Sequence, residues 1–219
     1  MAFAMNIVAR PSVSLVTHPL LEHAMSFLRS RDTDTESFQR HAQVATRVLA
    51  LEVLRDLPTS VVTIETPLEE TQVLRLSLPV IFVPVLRSGL ALLDAMNNFL
   101  PGSKVGFVGM ERDEDTALAR SYYAKLPRQL GQSIVVILDP MLATGGSALG
   151  TLRLLRQAGA EQIRLACIVA APEGIDLLLR EHPSIRIFTC ALDRGLNERK
   201  YIVPGLGDFG DRYFGTAAD

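Results

Sequence analysis

One run of residues concentrates the chemistry of this sequence: Ile134-Val135-Val136-Ile137-Leu138-Asp139-Pro140-Met141-Leu142-Ala143-Thr144-Gly145-Gly146-Ser147. Five apolar residues, as in a strand covered on both faces, deliver the acid Asp139 to a strand end. The run closes on Thr-Gly-Gly-Ser ahead of a helical pattern. Glycines there let backbone N–H groups approach a ligand closely, and the helix N-terminus adds partial positive charge. With hydroxyl donors from Thr144 and Ser147, the loop forms a cup for phosphate. It lacks the Gly-Lys-Ser/Thr ending of a P-loop and the GxGxxG spacing of a dinucleotide fold. An acid just ahead of the cup suits the hydroxyls of a sugar whose 5-phosphate sits in it. Thr-Gly-Gly-Ser alone would be a helix cap; the strand and Asp139 favour a ligand.

A second loop follows the same logic. Leu86-Arg87-Ser88-Gly89 joins another continuous apolar run, Pro79 to Leu86, to a helical stripe of Leu92, Met96 and Phe99. It should open on the same edge of the sheet, where its amides could receive a diphosphate with Arg87 as a charge-assisted clamp.

Alternating elements position these loops. Further strands are expected at Val105–Met110, Ile163–Ala170 and Ile185–Ala191, with a helix through Leu149, Leu152 and Leu155 ending near Gly159. Strands alternating with helices imply a parallel sheet covered on both faces, with ligands beyond the strands' carboxyl ends. Ahead of this core, helical stripes run through Leu21, Met25 and Leu28 and through Phe38, Ala42, Ala45, Leu49 and Val53. Thr33 with Glu36 is expected to form a capping box for the second helix. Val61–Thr66 and Gln72–Leu76, around a Pro-containing turn, predict a β-hairpin arm suited to a dimer contact. The charged stretch from Glu111 to Arg128, with Tyr122, Tyr123 and Lys125, reads as a mobile loop able to close over a ligand. Asp193–Thr216, with five glycines and little periodicity, reads as a long loop, functional or disordered.

Composition excludes several classes. The 219 residues are 48% hydrophobic and carry a formal charge of −2, which gives no footing for broad nucleic-acid binding. Cys167 and Cys190 sit in apolar runs as reduced structural thiols, not as a disulfide or metal site. His18, His23, His41 and His182 lie away from the phosphate loops and are assigned structural roles. The N-terminus makes a poor signal peptide and no apolar run is long enough to span a bilayer, so a cytoplasmic protein is expected.

An ordered series of segments resembles the uracil phosphoribosyltransferases of the type I phosphoribosyltransferase class. The series runs Thr17-His18-Pro19-Leu20, Pro84 to Leu90, Val108 to Arg112, Tyr122 to Pro127, Asp139 to Ser147, Val169 to Gly174, Gly195 to Glu198 and Tyr201 to Asp208. The resemblance implies an α/β fold, a parallel sheet flanked by helices with a small hood and the hairpin arm. All 219 residues then form one domain: helices and arm at about 15–78, core at about 79–192, hood segment at about 193–216. It also implies the reaction of uracil with 5-phosphoribosyl 1-diphosphate to give UMP and diphosphate. Arg87 and Arg112 resemble the donor-binding arginines. Asp139, Pro140, Met141, Leu142, Ala143, Thr144, Gly145, Gly146 and Ser147 match the donor loop. Ile202, Gly207, Asp208 and Phe209 fall where the family holds uracil, and Asp208 where it also meets the donor. Arg112, Asp139 and Asp208 are the expected catalytic residues. With one acid before Pro140, Mg²⁺ is expected to arrive on the donor diphosphate rather than in a protein cage. A homodimer or higher homo-oligomer is expected.

Three residues depart from the family pattern: Ser88 for Ala, Glu111 for an aromatic, and Phe209 for a small residue. The Phe209 ring either enters the core or restricts one edge of the base pocket; the latter is the working expectation. A regulator that senses the donor without turnover, or an enzyme for another base, remain the rival readings.

Overall fold

The computed structural model describes residues 12–112 and 119–216, excluding the side chains of Arg112 and Ala119. In chain order the elements are β1 (Val13–Leu15), α1 (Pro19–Arg29), α2 (Thr35–Val53), β2 (Thr59–Glu65), β3 (Glu70–Leu76), β4 (Val80–Leu86) and α3 (Leu90–Phe99). There follow β5 (Lys104–Val105), β6 (Phe107–Arg112), β7 (Ala119–Lys125), β8 (Ile134–Leu138), β9 (Met141–Leu142) and α4 (Gly146–Gln157). The chain continues through β10 (Gln162–Ala170), α5 (Pro172–Glu181), β11 (Arg186–Leu192), β12 (Gly195–Leu196), β13 (Ile202–Val203) and α6 (Phe209–Phe214).

The main sheet has the order β1-β11-β10-β8-β4-β6-β7. All its neighbours run parallel except β6 and β7, which are antiparallel. From β4 the chain moves to β6 on one side, and from β8 to β10 on the other. The order therefore reverses between β4 and β8, the place where such sheets open a crevice at their carboxyl ends.

Both strands are apolar throughout because both faces are covered. Val80 and Phe82 of β4 join Ile134, Val136 and Leu138 of β8 in a cluster with α1, α2 and α3. Ile81, Val83 and Val85 join Val135 and Ile137 against α4 and α5 on the other face. The Arg87 and Asp139 loops thus leave neighbouring strands that are buried on both faces.

The hairpin β2–β3 forms as expected, paired from Thr59↔Leu76 to Glu65↔Glu70. Thr66 organises its turn, its hydroxyl accepting from the N–H groups of Leu68 and Glu69. Two expectations are corrected. The α2 cap is Asp34, not Thr33: the Asp34 carboxylate accepts from Ser37 N at 2.7 Å, while the Thr33 hydroxyl donates to Phe27 O at 2.7 Å. A carboxylate at the N-cap also meets the helix dipole favourably, and the displaced Glu36 pairs instead with Arg40. The stretch read as a loop from Glu111 to Arg128 contains a strand, β7, paired on β6. The Tyr122 ring lies over Gly109, where an added Cβ would stand 2.4 Å from it. Mixed charge hid a strand whose exposed residues need no apolar alternation. Residues 113–118 of that stretch lie outside the described residues.

Candidate active site

The Asp139 loop is built on β8 and β10. Asp139 N donates to Ala166 O at 3.2 Å, extending the ladder one residue past β8. β9 then pairs with Val169 and Ala170 of β10, so Met141 and Leu142 are also fixed by the sheet. Gly145 turns the chain into α4 at φ +82°, a conformation that suits glycine. A Cβ on it would also stand 3.0 Å from Gly174 O, and one on Gly174 would stand 2.5 Å from Ala143 O. These two glycines let the loop seat directly on the start of α5. Thr144 is exposed, and its hydroxyl lies 3.5 Å from Gly146 N. Thr144, Gly145, Gly146 and Ser147 thereby form the opening of a 12-residue helix, as the cup requires.

The Arg87 loop meets this loop from β4. Gly89 is packed so closely that a Cβ would stand 2.2 Å from Leu138 O and 2.6 Å from Val85 N. The Leu86–Arg87 peptide is cis. Arg87 is largely exposed, its guanidinium 3.8 Å from the Asp211 carboxylate. Arg112 ends β6; its side chain lies outside the described residues.

Asp139 is 9% exposed. Burial pushes its carboxyl up to about 6, and the N–H of Met141, at 3.3 Å, draws it only partly back. A buried, barely solvated carboxylate gains from hydroxyl donors, as a ribose would offer. Cys167 is buried and its thiol is pushed up to about 12, which leaves it an inert thiol.

The C-terminal segment closes the other side. A cavity of about 220 Å³ is lined by Ser88, Met141, Ala143, Lys200, Tyr201, Ile202, Gly207, Asp208, Phe209 and Gly210. It is below the size of clefts for drug-like ligands and suits a single small ring. Met141 and Ala143 from the cup loop thus share one space with Ile202, Gly207, Asp208 and Phe209. Asp208 caps α6, accepting from Asp211 N at 2.9 Å. Phe209 packs into the core. The residue is 1% exposed, its ring stacked on Tyr213 at 5.7 Å and edge-on to Phe38 at 5.3 Å. The ring packs in the core against Phe38 and Tyr213, while the residue also lines the cavity.

Lys200, Tyr201 and Gly210 were not singled out for this cavity, although Lys200 and Tyr201 directly precede Ile202 in sequence. Lys200 is at φ +67°, the one non-glycine at positive φ among the described residues. Asn197 holds that turn, its side-chain oxygen accepting from the N–H groups of Arg199 and Tyr201, both at 3.0 Å. A side-chain-to-backbone turn of this kind leaves no periodic trace in sequence.

The sheet order, the cup at its switch point and the adjoining cavity define a phosphoribosyltransferase-type enzyme. The fold is shared with the APRTase of Giardia lamblia solved with 9-deazaadenine, at TM-score 0.50 and 18% identity, covering 69% of this chain and 80% of that one. A solved protein of Aquifex aeolicus superposes far more closely, with TM-score 0.88 and 34% identity over 94% of this chain and 100% of that one. The family profile described as uracil phosphoribosyltransferase matches residues 15–216. Uracil phosphoribosyltransferases of Streptococcus pneumoniae and Clostridium botulinum are 45% and 44% identical over 205 residues, covering 93% of this chain and 98% of each relative. The chain belongs to the uracil phosphoribosyltransferase family.

Proposed function

We propose that the protein joins uracil N1 to C1 of 5-phosphoribosyl 1-diphosphate, forming UMP and releasing diphosphate. The observation that carries this reading is the small cavity shared by the cup loop and the 202–210 segment. Met141 and Ala143 of the cup loop line it beside Ile202, Gly207 and Asp208, which supports a base held next to a sugar whose 5-phosphate takes the N-terminus of α4.

The N1–C1 bond forms as the bond from C1 to the diphosphate oxygen breaks, through an oxocarbenium-like transition state. The uracil N1 proton passes to the Asp208 carboxylate or to water. Asp139 takes the ribose hydroxyls and favours the positive charge that develops on the ring. Arg87 and Arg112, with the loop amides from Pro140 to Ser147, take the phosphate charges. Ile202, Gly207, Asp208 and the Phe209 backbone hold uracil.

Mg²⁺ fits this set only as a companion of the donor. Among the described residues no three His, Cys, Asp or Glu side chains gather at a metal-binding distance. A lone Asp139 suits an ion held chiefly by substrate oxygens. When bound, the ion would offset charge on the leaving diphosphate, with Asp139 beside the ribose.

The hood at about 193–216 closes over the core at about 79–192. The hairpin at Thr59–Leu76 carries exposed apolar residues, Val61, Leu68 and Leu74, and supplies the contact of a homodimer. No described helix is long and apolar enough to cross a membrane, in keeping with a cytoplasmic salvage enzyme. The packing of the Phe209 ring on Phe38 and Tyr213 weighs against a different base.

The test is UMP formation from uracil, donor and Mg²⁺, run beside cytosine, adenine and hypoxanthine. Uracil should be the preferred acceptor by a wide margin. Donor binding without turnover on any base would establish a sensor instead.

A further inference from the structure

The 202–210 segment has little regular structure of its own, yet it must hold a ring to a fraction of an ångström. Its support comes from two charged side chains that do not line the cavity. Asp193 ends β11 much as Asp139 ends β8, and its carboxylate is only 4% exposed. Arg29, in the last turn of α1, grips that carboxylate with both Nη atoms, at 2.7 and 2.9 Å. The same pair grips the backbone of the segment: Gly205 N donates to Asp193 Oδ2 at 2.7 Å, and Arg29 Nη1 donates to Gly205 O at 2.9 Å. Gly205 sits at φ +65°, and a Cβ there would stand 2.2 Å from Ile202 O. The turn from Ile202 to Gly205 is therefore tight, and both polar backbone groups at its apex are taken by one ion pair.

We propose that Arg29 and Asp193 are positioning residues for the acceptor: they set the height and tilt of Ile202 and Gly207 against the cup loop. This rests on the reading of the cavity as the uracil site. A planar, bidentate pair fixes orientation as well as distance, and removing one partner would leave the other charge buried and the Gly205 backbone loose. A lysine at position 29 would keep the charge but could not reach both carboxylate oxygens and the carbonyl in one plane. The segment's other anchor is Arg212, which donates to Leu28 O, Ser30 O and Leu206 O at 2.5, 2.6 and 2.8 Å. That clamp fixes the far end of the turn, so loss of the Arg29–Asp193 pair should tilt the segment without releasing it.

The experiment measures initial rates with uracil and donor varied independently, for the parent, Asp193→Asn, Arg29→Lys and Gly210→Leu. In Asp193→Asn and Arg29→Lys, KM for uracil should rise at least ten-fold while KM for the donor stays within two-fold. Arg29→Lys, the milder change, keeps the test usable if Asp193→Asn folds poorly. A purely structural role would lower Tm and the amount of active enzyme and leave KM for uracil unmoved; that outcome overturns the proposal. Gly210→Leu fills the cavity directly. If it leaves uracil kinetics unchanged, the cavity itself is misassigned. If it raises KM for uracil and the two pair variants do not, only the positioning role falls.

Discussion

The two halves of the proposed site are held by different means. The donor loop, Asp139–Ser147, grows from strands buried on both faces, and backbone ladders fix its first residues. The acceptor segment from Ile202 to Gly210 has a two-residue strand and the first turn of a short helix. Its geometry comes instead from the Arg29–Asp193 ion pair, the Arg212 contacts with carbonyl oxygens and glycines at positive φ. A phosphate can be held by many parallel N–H donors, which a helix start supplies wherever a sheet places it. A base needs a few individually aimed backbone groups, and those require individual supports.

The comparison is broken hardest at Gly89. Replacing it with Val drives a branched side chain into Leu138 O and the Val85 backbone, so β4 and the donor loop cannot keep their spacing. Turnover should fall by at least about a thousand-fold, with calorimetry recording a parallel loss of donor affinity. Retained donor binding would show that the two loops need not touch. On the acceptor side, Phe209→Ala removes a ring packed on Phe38 and Tyr213. Denaturant unfolding should register a loss of about 3–5 kcal/mol, while the ranking of uracil against 5-substituted uracils stays the same. A changed ranking would return the ring to the pocket.

Sequence disclosed the first half of the site far better than the second. The β8 run, Asp139 and Thr-Gly-Gly-Ser carry their roles in periodicity and spacing, since buried strands and helix starts have local signatures. The segment from Tyr201 to Asp208 was recognisable only through resemblance. Nothing in its local pattern announces that Arg29, far back in the chain, holds it. Phe209 shows the same limit: its place in the sequence does not disclose that its ring packs on Phe38 and Tyr213. The Asp34 cap was obscured by an adjacent Thr33 with an equally good motif, decided by the contact Thr33 makes with Phe27 O. β7 went unseen because an antiparallel strand so widely exposed has no buried face to mark its period.

Asp139 sharpens the contrast through pH. Its carboxyl stands at about 6 in the folded chain against 3.8 in an unfolded one. Between those values the folded state keeps a proton that the unfolded state has lost, so stability falls as pH rises from about 4 to 6. Asp139→Asn removes that fall. The variant should exceed the parent by about 2–3 kcal/mol at pH 7 and lose this advantage near pH 4, while its turnover drops. An unchanged stability–pH profile would show that Asp139 is better solvated than its burial implies. The smallest effect is expected at Lys200, whose positive φ costs an ordinary residue roughly 1 kcal/mol. Lys200→Gly should raise Tm slightly; an unchanged or lower Tm would mean that the Asn197 turn bears no strain.

The tight seat of Gly89 has a consequence for folding as well as for binding. A strand apolar on both faces carries no inside-or-outside code, so sliding β4 past β8 by one residue would exchange one buried face for another at modest cost. Patterning alone leaves that pairing nearly degenerate. What distinguishes Val80↔Ile134 from its neighbours in register is the end of the strand, where only a residue without a side chain fits beneath Leu138 O. The loop that would shape the proposed donor site is thus also the index mark by which the two central strands find their alignment.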